Sequence, residues 1–283
     1  MHQAPDSKVI PMTSFAAGKG TEVRDDVFYY TNQIVNLVML GKPGGTWVLV
    51  DAGMPQSAET IIKVVEDRFG AGARPDCIIL THGHFDHVGS IVDLIKTWQV
   101  PVFAHPLEFD FLTDKRSYPE PDPTVEGGLL AKLASLYPYE PINIAPVLQE
   151  LPTDGTIPGI SGWRWVHTPG HSPGHVALFR EGDRTLISGD AFVTVRQDSF
   201  YKVLIQKKEV NGPPRYLTTN WTAAWDSVRK LNALKPNLVV PGHGQYMEGS
   251  ELKEGLERLA EHFDTDAIPA HGKYVEERDK QAH

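Results

Sequence analysis

Short, largely apolar runs recur along the chain, and each stops at a residue able to bind or orient a cation. Residues 46–50 end at Asp51-Ala52-Gly53, 77–80 run into His82, and 163–166 lead to HTPGHSPGH at 167–175. Residues 185–187 lead to Ser188-Gly189-Asp190, and 238–240 to Pro241-Gly242-His243. Runs of this length bounded by Gly or Pro suit buried strands. In layered α/β folds, sites gather outside the strand ends, so five such endings can converge on one crevice. Between the strands, Ile61, Ile62, Val64, Val65 and Phe69 fall at helical spacing, which predicts a helix over 57–69 opened by Ser57 as a cap. Residues 88–98, 216–234 and 250–263 read the same way, and 28–40 reads as two antiparallel strands or one long one.

One segment breaks this rhythm. Residues 106–147 carry seven prolines together with Phe109, Phe111, Tyr118, Tyr137 and Tyr139. Short helices at 107–112 and 128–136 are expected there rather than core strands. The segment is flanked in sequence by two groups of candidate ligands, so it is expected to form a wall or lid over a substrate pocket, the alternative being a helical spacer packed on the outside. Residues 275–283 read as a polar tail.

The stretch THGHFDHVGS at 81–90 packs His82, His84, Asp86 and His87 into six positions. A chance H-x-H-x-D-H in a chain of this composition has odds on the order of one in a thousand. Helical geometry would send His82 and His84 to nearly opposite sides, whereas an extended segment puts them on one side. Gly83 and Gly89 are read as giving the loop freedom to turn tightly. His82 and His84 then grip one atom, while Asp86 and His87 curl toward a second. Neutral imidazoles and carboxylates are the ligands that a zinc-like cation takes, so two clusters of ligands predict two ions.

Composition narrows the class. With 283 residues, 41% of them hydrophobic, the chain can bury a substantial core. A net charge of −9 argues against a nucleic-acid binder, which needs a basic face for phosphates. The single cysteine, Cys77, excludes an intrachain disulfide and reads as a small buried hydrophobe inside its apolar run. The N-terminal MHQAPDSK shows no basic flank followed by an apolar run, and no stretch is apolar for long enough to span a membrane. These features lead to the expectation of a cytoplasmic enzyme.

The ordered set His82-x-His84-x-Asp86-His87, His171, Asp190 and His243 resembles that of the metallo-β-lactamase-fold hydrolase superfamily, over nearly the whole chain from Phe28 to Phe263. HTPGHSPGH and the SGDAF at 188–192 are similar to the glyoxalase II and thioesterase branch. The resemblance implies an α+β fold, an αββα sandwich of two packed mixed sheets with helices on the outer faces. Residues 1–283 would form one domain, with 106–147 as an insertion near the active-site edge. It also implies that His82, His84 and His171 hold one metal, that Asp86, His87 and His243 hold a second, and that Asp190 bridges them. Asp51 would orient a ligand histidine through its other ring nitrogen. His175 is expected to support the site without ligating, and His167 and His105 to meet backbone partners. Phe192, Arg196 and Tyr201 are candidates for lining a substrate pocket.

Two departures from the resemblance bear on substrate. Asp190 stands where the best-known β-lactamases place a cysteine ligand, and Val193 stands where homoserine-lactone hydrolases place a tyrosine. The expected activity is hydrolysis of a small-molecule ester, thioester or lactone by a hydroxide bound to two divalent cations, with zinc the expected metal and iron or manganese as alternatives. Asp86 would move the proton. The alternatives are β-lactam hydrolysis and iron-dependent redox chemistry on the same ligands.

Overall fold

A computed structural model describes residues 1, 14, 16–125, 142–195 and 209–275. The expected helix at 128–136, Tyr137, Tyr139, Arg196, Tyr201 and the tail beyond Val275 lie outside these residues. The chain divides into two compact units, Met1–Tyr118 with Pro138–Arg164, and Pro119–Tyr137 with Trp165–His283. The fold class is α+β, with two mixed β-sheets and helices, as the resemblance implies.

The first sheet runs in sequence order: β1 (Gly20–Arg24), β2 (Val27–Asn32), β3 (Val35–Gly41), β4 (Trp47–Val50), β5 (Ile78–Ile79), β6 (Val102–Ala104) and β7 (Leu148–Glu150). Its first four strands pair antiparallel through short turns, which settles residues 28–40 as two strands. From β4 onward the pairing is parallel. Parallel neighbours need crossovers, and helices α1 (Ala58–Phe69) and α3 (Ile91–Trp98) supply two of them. In α1, Ile61 and Val65 are buried and Phe69 stacks on Trp47 with ring centroids 4.0 Å apart. Ser57 holds the N-cap position of α1, yet its side chain makes no capping hydrogen bond.

The expected helix at 88–98 is two helices, α2 (Phe85–Val88) and α3. The break has a local cause. The Gly89 amide donates to the Gly53 carbonyl at 2.8 Å, and Ser90 Oγ donates to the Met54 carbonyl at 2.7 Å. The backbone between the two helices is therefore tied to the Asp51-Ala52-Gly53 turn. Glycine is required at 89 for closeness rather than for a turn. Its φ of −57° is ordinary, but a Cβ there would stand 2.2 Å from Pro55 N. Gly83 likewise has no positive φ, and a Cβ on it would meet Tyr118 Oη at 2.6 Å. The freedom to turn expected of these two glycines is thus corrected to a need for space.

The second sheet has the order β13-β12-β11-β10-β9-β8. Its strands are β8 (Thr156–Ile157), β9 (Ile160–His167), β10 (Val176–Arg180), β11 (Thr185–Gly189), β12 (Leu238–Pro241) and β13 (Met247–Glu248). β11 and β12 pair parallel, connected through α5 (Trp221–Ala233), and β12 and β13 pair antiparallel. After the short α4 (Phe109–Leu112), α5 and α6 (Gly249–Glu261) are the long helices of the second unit, and α7 (Phe263–Asp266) follows. Helix α5 starts five residues later than its apolar pattern predicts. Thr219 and Asn220 give their amides to the Gly170 carbonyl, and the Asn220 side chain then caps the helix through the Ala223 amide at 2.9 Å.

Each unit has its own apolar cluster. Leu37, Met39, Leu49, Ile61, Ile78, Leu94 and Val102 belong to the first, and Phe179, Leu186, Trp221, Leu231, Val239, Leu256 and Phe263 to the second. Phe192 is fully buried in the second cluster, so it packs rather than lining a pocket. Val275, expected to begin the polar tail, is also buried there. Among the described residues, no helix is long and apolar enough to cross a membrane.

Candidate metal centre

In the first unit, the strand ends of β4 and β5 carry the candidate chemistry. Asp51 directly follows β4 and adopts a φ of +62°, a left-handed conformation that is costly for a residue with a side chain. Three donors hold its carboxylate: the Thr81 amide, the Thr81 hydroxyl and His87 Nδ1, each at 2.8 Å. The neighbouring Ala52 amide donates to the His87 carbonyl. His84 is extended, with φ −67° and ψ 153°, and serves as the N-cap of α2, which carries Asp86 and His87. The extended-then-curling path expected of this loop is what the backbone adopts. His82, His84, Asp86 and His87 are all buried. The His82 ring lies 4.7 Å from that of His84 and 4.2 Å from that of His87. His87 Nε2 is 4.0 Å from Asp86 Oδ2.

The second unit carries the remaining three. His171 follows β9, Asp190 follows β11 and His243 follows β12. Asp190 Oδ2 lies 3.4 Å from His171 Nε2 and 3.3 Å from His243 Nε2, and all three residues are buried. A tetrahedral cation with donors at about 2.0–2.2 Å keeps neighbouring donors about 3.3–3.6 Å apart, so this spacing suits ligands of a shared ion. All seven residues belong to groups of buried His and Asp side chains whose ligand atoms are able to hold a metal ion.

Hydrogen bonding fixes which ring nitrogen His82, His171 and His87 offer. Thr81 Oγ1 donates to Asp51 Oδ2, so it accepts from His82 Nδ1 at 3.0 Å. Thr218 Oγ1 donates to the Pro214 carbonyl, so it accepts from His171 Nδ1 at 3.1 Å. His87 Nδ1 donates to Asp51. In each ring the proton sits on Nδ1, which makes Nε2 the ligand nitrogen. His175 is engaged differently. Its Nε2 accepts the Asp190 amide at 2.9 Å, and its Nδ1 donates to Thr168 Oγ1 at 2.8 Å. Both ring nitrogens are used, so His175 supports Asp190 without ligating. His167 Nε2 meets the Pro173 carbonyl at 2.9 Å, and His105 Nδ1 accepts the Leu107 amide at 3.2 Å, as expected of side chains with backbone partners.

Glu108, which sequence reasoning gave no role, and Tyr118, read there only as one aromatic of the 106–147 segment, belong to the first unit and border the ligand loop. Both are buried, Tyr118 Oη donates to Glu108, and each accepts from the Gly83 amide, Glu108 at 3.1 Å and Tyr118 at 3.0 Å. Burial, then the negative charge of Glu108 and their hydrogen bond, hold the Tyr118 phenol well above its ordinary pKa, so it remains protonated at neutral pH. Thr81, Thr168 and Thr218 are the other supporting residues missed. A lone Thr or Tyr carries no sequence signal of a role that depends on distant neighbours.

The donor set fits divalent cations. It combines five buried imidazoles, three of them of fixed tautomer, with the buried carboxylates Asp86 and Asp190, and burying a carboxylate carries a cost that a cation offsets.

This donor chemistry stands on a two-sheet α+β frame and, with the family match and the relative that follow, it makes the chain a metal-dependent hydrolase. The chain belongs to the metallo-β-lactamase superfamily, whose family description matches residues 30–243. It is 44% identical over 253 residues to the probable metallo-hydrolase YflN of Bacillus subtilis (strain 168), covering 89% of this chain and 96% of that one. Among solved structures it is similar in fold to a B3 metallo-β-lactamase with an active-site glutamic acid. That likeness has a TM-score of 0.64 at 19% identity and covers 97% of this chain and 99% of the other. It is also similar to TTHA1623 in a di-iron-bound form, with a TM-score of 0.53 at 24% identity and coverage of 78% and 93%.

Proposed function

We propose that this chain hydrolyses an ester, thioester or lactone of a small molecule at a site for two divalent cations. His82, His84 and His171 would hold one cation, Asp86, His87 and His243 the other, and Asp190 would bridge them. The observation that carries the reading is Asp190 Oδ2, which lies at ligand spacing from both His171 and His243. When bound, such cations bring the pKa of water down to about 7 and polarise a carbonyl oxygen.

The chain's own residues set the geometry. Asp51 holds His87 and, through Thr81, His82, while Thr218 holds His171. These contacts keep each Nε2 lone pair available for a cation. His175 fixes the Asp190 backbone. Asp86 is buried beside His87 and is the carboxylate assigned to accept and return the proton. Zinc is the proposed native metal. Iron is the variant to test, because the same donors accept it and TTHA1623 carries two irons.

Elemental analysis of protein purified without chelator, beside turnover of a panel of esters, thioesters, lactones and a cephalosporin, tests the reading. About two metals per chain and preferred turnover of one of the first three classes are expected, with Asp190→Ala losing metal and most turnover. A chain that takes up no added metal overturns the reading, as does exclusive turnover of the cephalosporin.

A further inference from the structure

We infer that Glu108 and Tyr118 are positioning residues for His84, forming a clamp on the middle of the ligand loop. The inference rests on the reading of His84 as a metal ligand. Three observations within the first unit carry it. The Gly83 amide, between His82 and His84, is shared by Glu108 Oε2 and Tyr118 Oη. The Tyr118 ring packs against the His84 ring, with centroids 4.5 Å apart and planes tilted by 57°, and Phe111 stacks on the Tyr118 ring at 3.9 Å with planes 11° apart. Glu108 is fully buried and accepts from both Tyr118 and Gly83.

Each part supplies a different restraint. The paired acceptors hold the Gly83 peptide, which fixes the direction in which the chain presents His82 and His84. The phenol ring restricts rotation of the His84 imidazole, and Phe111 keeps the phenol in place. The glycine is part of the device, because any Cβ at 83 would press on Tyr118 Oη at 2.6 Å. A clamp of this kind limits the freedom that a ligand loses on binding a cation, so its benefit should appear as metal affinity and ligand geometry. It gives the start of the 106–147 segment a role at the ligand loop, with Phe111 buried as support for it.

The test uses the full chain, with Zn(II) affinity measured by chelator competition and the visible absorption band of bound Co(II) as the geometric readout. Tyr118→Leu and Glu108→Leu are expected to lose about tenfold or more in Zn(II) affinity and to shift the Co(II) band. Tyr118→Phe keeps the ring and Glu108→Gln keeps the acceptor, so both should stay within about threefold of the parent. The clamp is overturned if the leucine variants match the parent in affinity and spectrum, or if the conservative variants fall as far as the leucine ones. Should the leucine variants not fold, Gly83→Ala decides with and without Tyr118→Phe. The double variant, relieved of the hydroxyl, should regain affinity that the single one lost, and no recovery overturns the proposal. His84→Ala is run alongside. Unchanged metal binding there refutes the ligand reading itself, whereas loss there with parent-like Tyr118→Leu refutes the clamp alone.

Discussion

Asp51 Oδ2 lies 2.8 Å from His87 Nδ1, with the Asp51 backbone in a left-handed conformation that few non-glycine residues adopt. The strain and the contact belong together. The turn after β4 aims the carboxylate at the ligand loop, and the bonds it accepts from Thr81 and His87 compensate for the backbone cost.

Asp51→Asn should therefore weaken metal binding by about ten- to a hundredfold, because Asn tolerates the left-handed backbone but its amide cannot accept all three donors. Asp51→Ala should in addition melt lower, having neither the acceptor nor Asn's tolerance of that conformation. Chelator competition and thermal melting measure the two effects. Parent-like affinity in Asp51→Asn would show that the contact to His87 is incidental.

His175→Ala separates support from ligation. The variant leaves the buried Asp190 amide without its acceptor, a cost of about 1–3 kcal/mol. It should melt lower while still binding close to the parent's number of metals when metal is in excess. His171→Ala should instead lose metal stoichiometry. Elemental analysis of both, beside their melting curves, checks the distinction, and a full metal loss in His175→Ala would contradict it.

Asp183 provides a pH signature away from the site. Partial burial raises its pKa, but hydrogen bonds from Arg180 and Thr185 and the Arg180 charge outweigh that effect and bring it from 3.8 to about 2. Arg180 Nε and Nη2 meet the two carboxylate oxygens at 2.9 and 2.7 Å beside the β10–β11 turn. A depressed carboxylate pKa contributes stability that is complete above the unfolded value and lost as pH falls toward the folded one. The parent's melting advantage over Asp183→Asn should thus be present at pH 5 and shrink between about pH 4 and pH 2. An advantage that stays constant over that window would refute the pair's contribution.

Cys77 should be chemically silent in the native protein. Burial, with a smaller contribution from Asp76, pushes its thiol up to about 12, and its Sγ contacts the Pro158 carbonyl at 3.3 Å. Thiolate is the reactive form, so a disulfide reagent at pH 8 should label no thiol until denaturant is added, and then one per chain. Rapid labelling of the folded chain would show that this strand end opens.

The sequence alone determined the features that depend on neighbours in the chain. Alternating apolar runs and Gly or Pro stops located the strands around each ligand, because buried strands and their ends are dictated by local pattern. The spacing of His82, His84, Asp86 and His87 determined an extended path that then curls, because side-chain direction follows from backbone period; that the curl is the helical turn Phe85–Val88 came from the structure. Family likeness placed His171, Asp190 and His243 in order. Tertiary structure decided what depends on residues far apart in sequence. The helix expected over 88–98 splits because Gly89 and Ser90 bond to the Gly53–Met54 turn, and α5 starts late because Gly170 takes the amides before it. Gly83 and Gly89 are glycines because Tyr118 and Pro55 come close, which no turn rule foretells. The tautomers of His82, His87 and His171, and the non-ligating role of His175, follow from Asp51, Thr81, Thr218, Thr168 and the Asp190 amide. Hydrogen bonds of this kind are directional and short, so they exist only once folding has fixed both partners, and local sequence carries no trace of them.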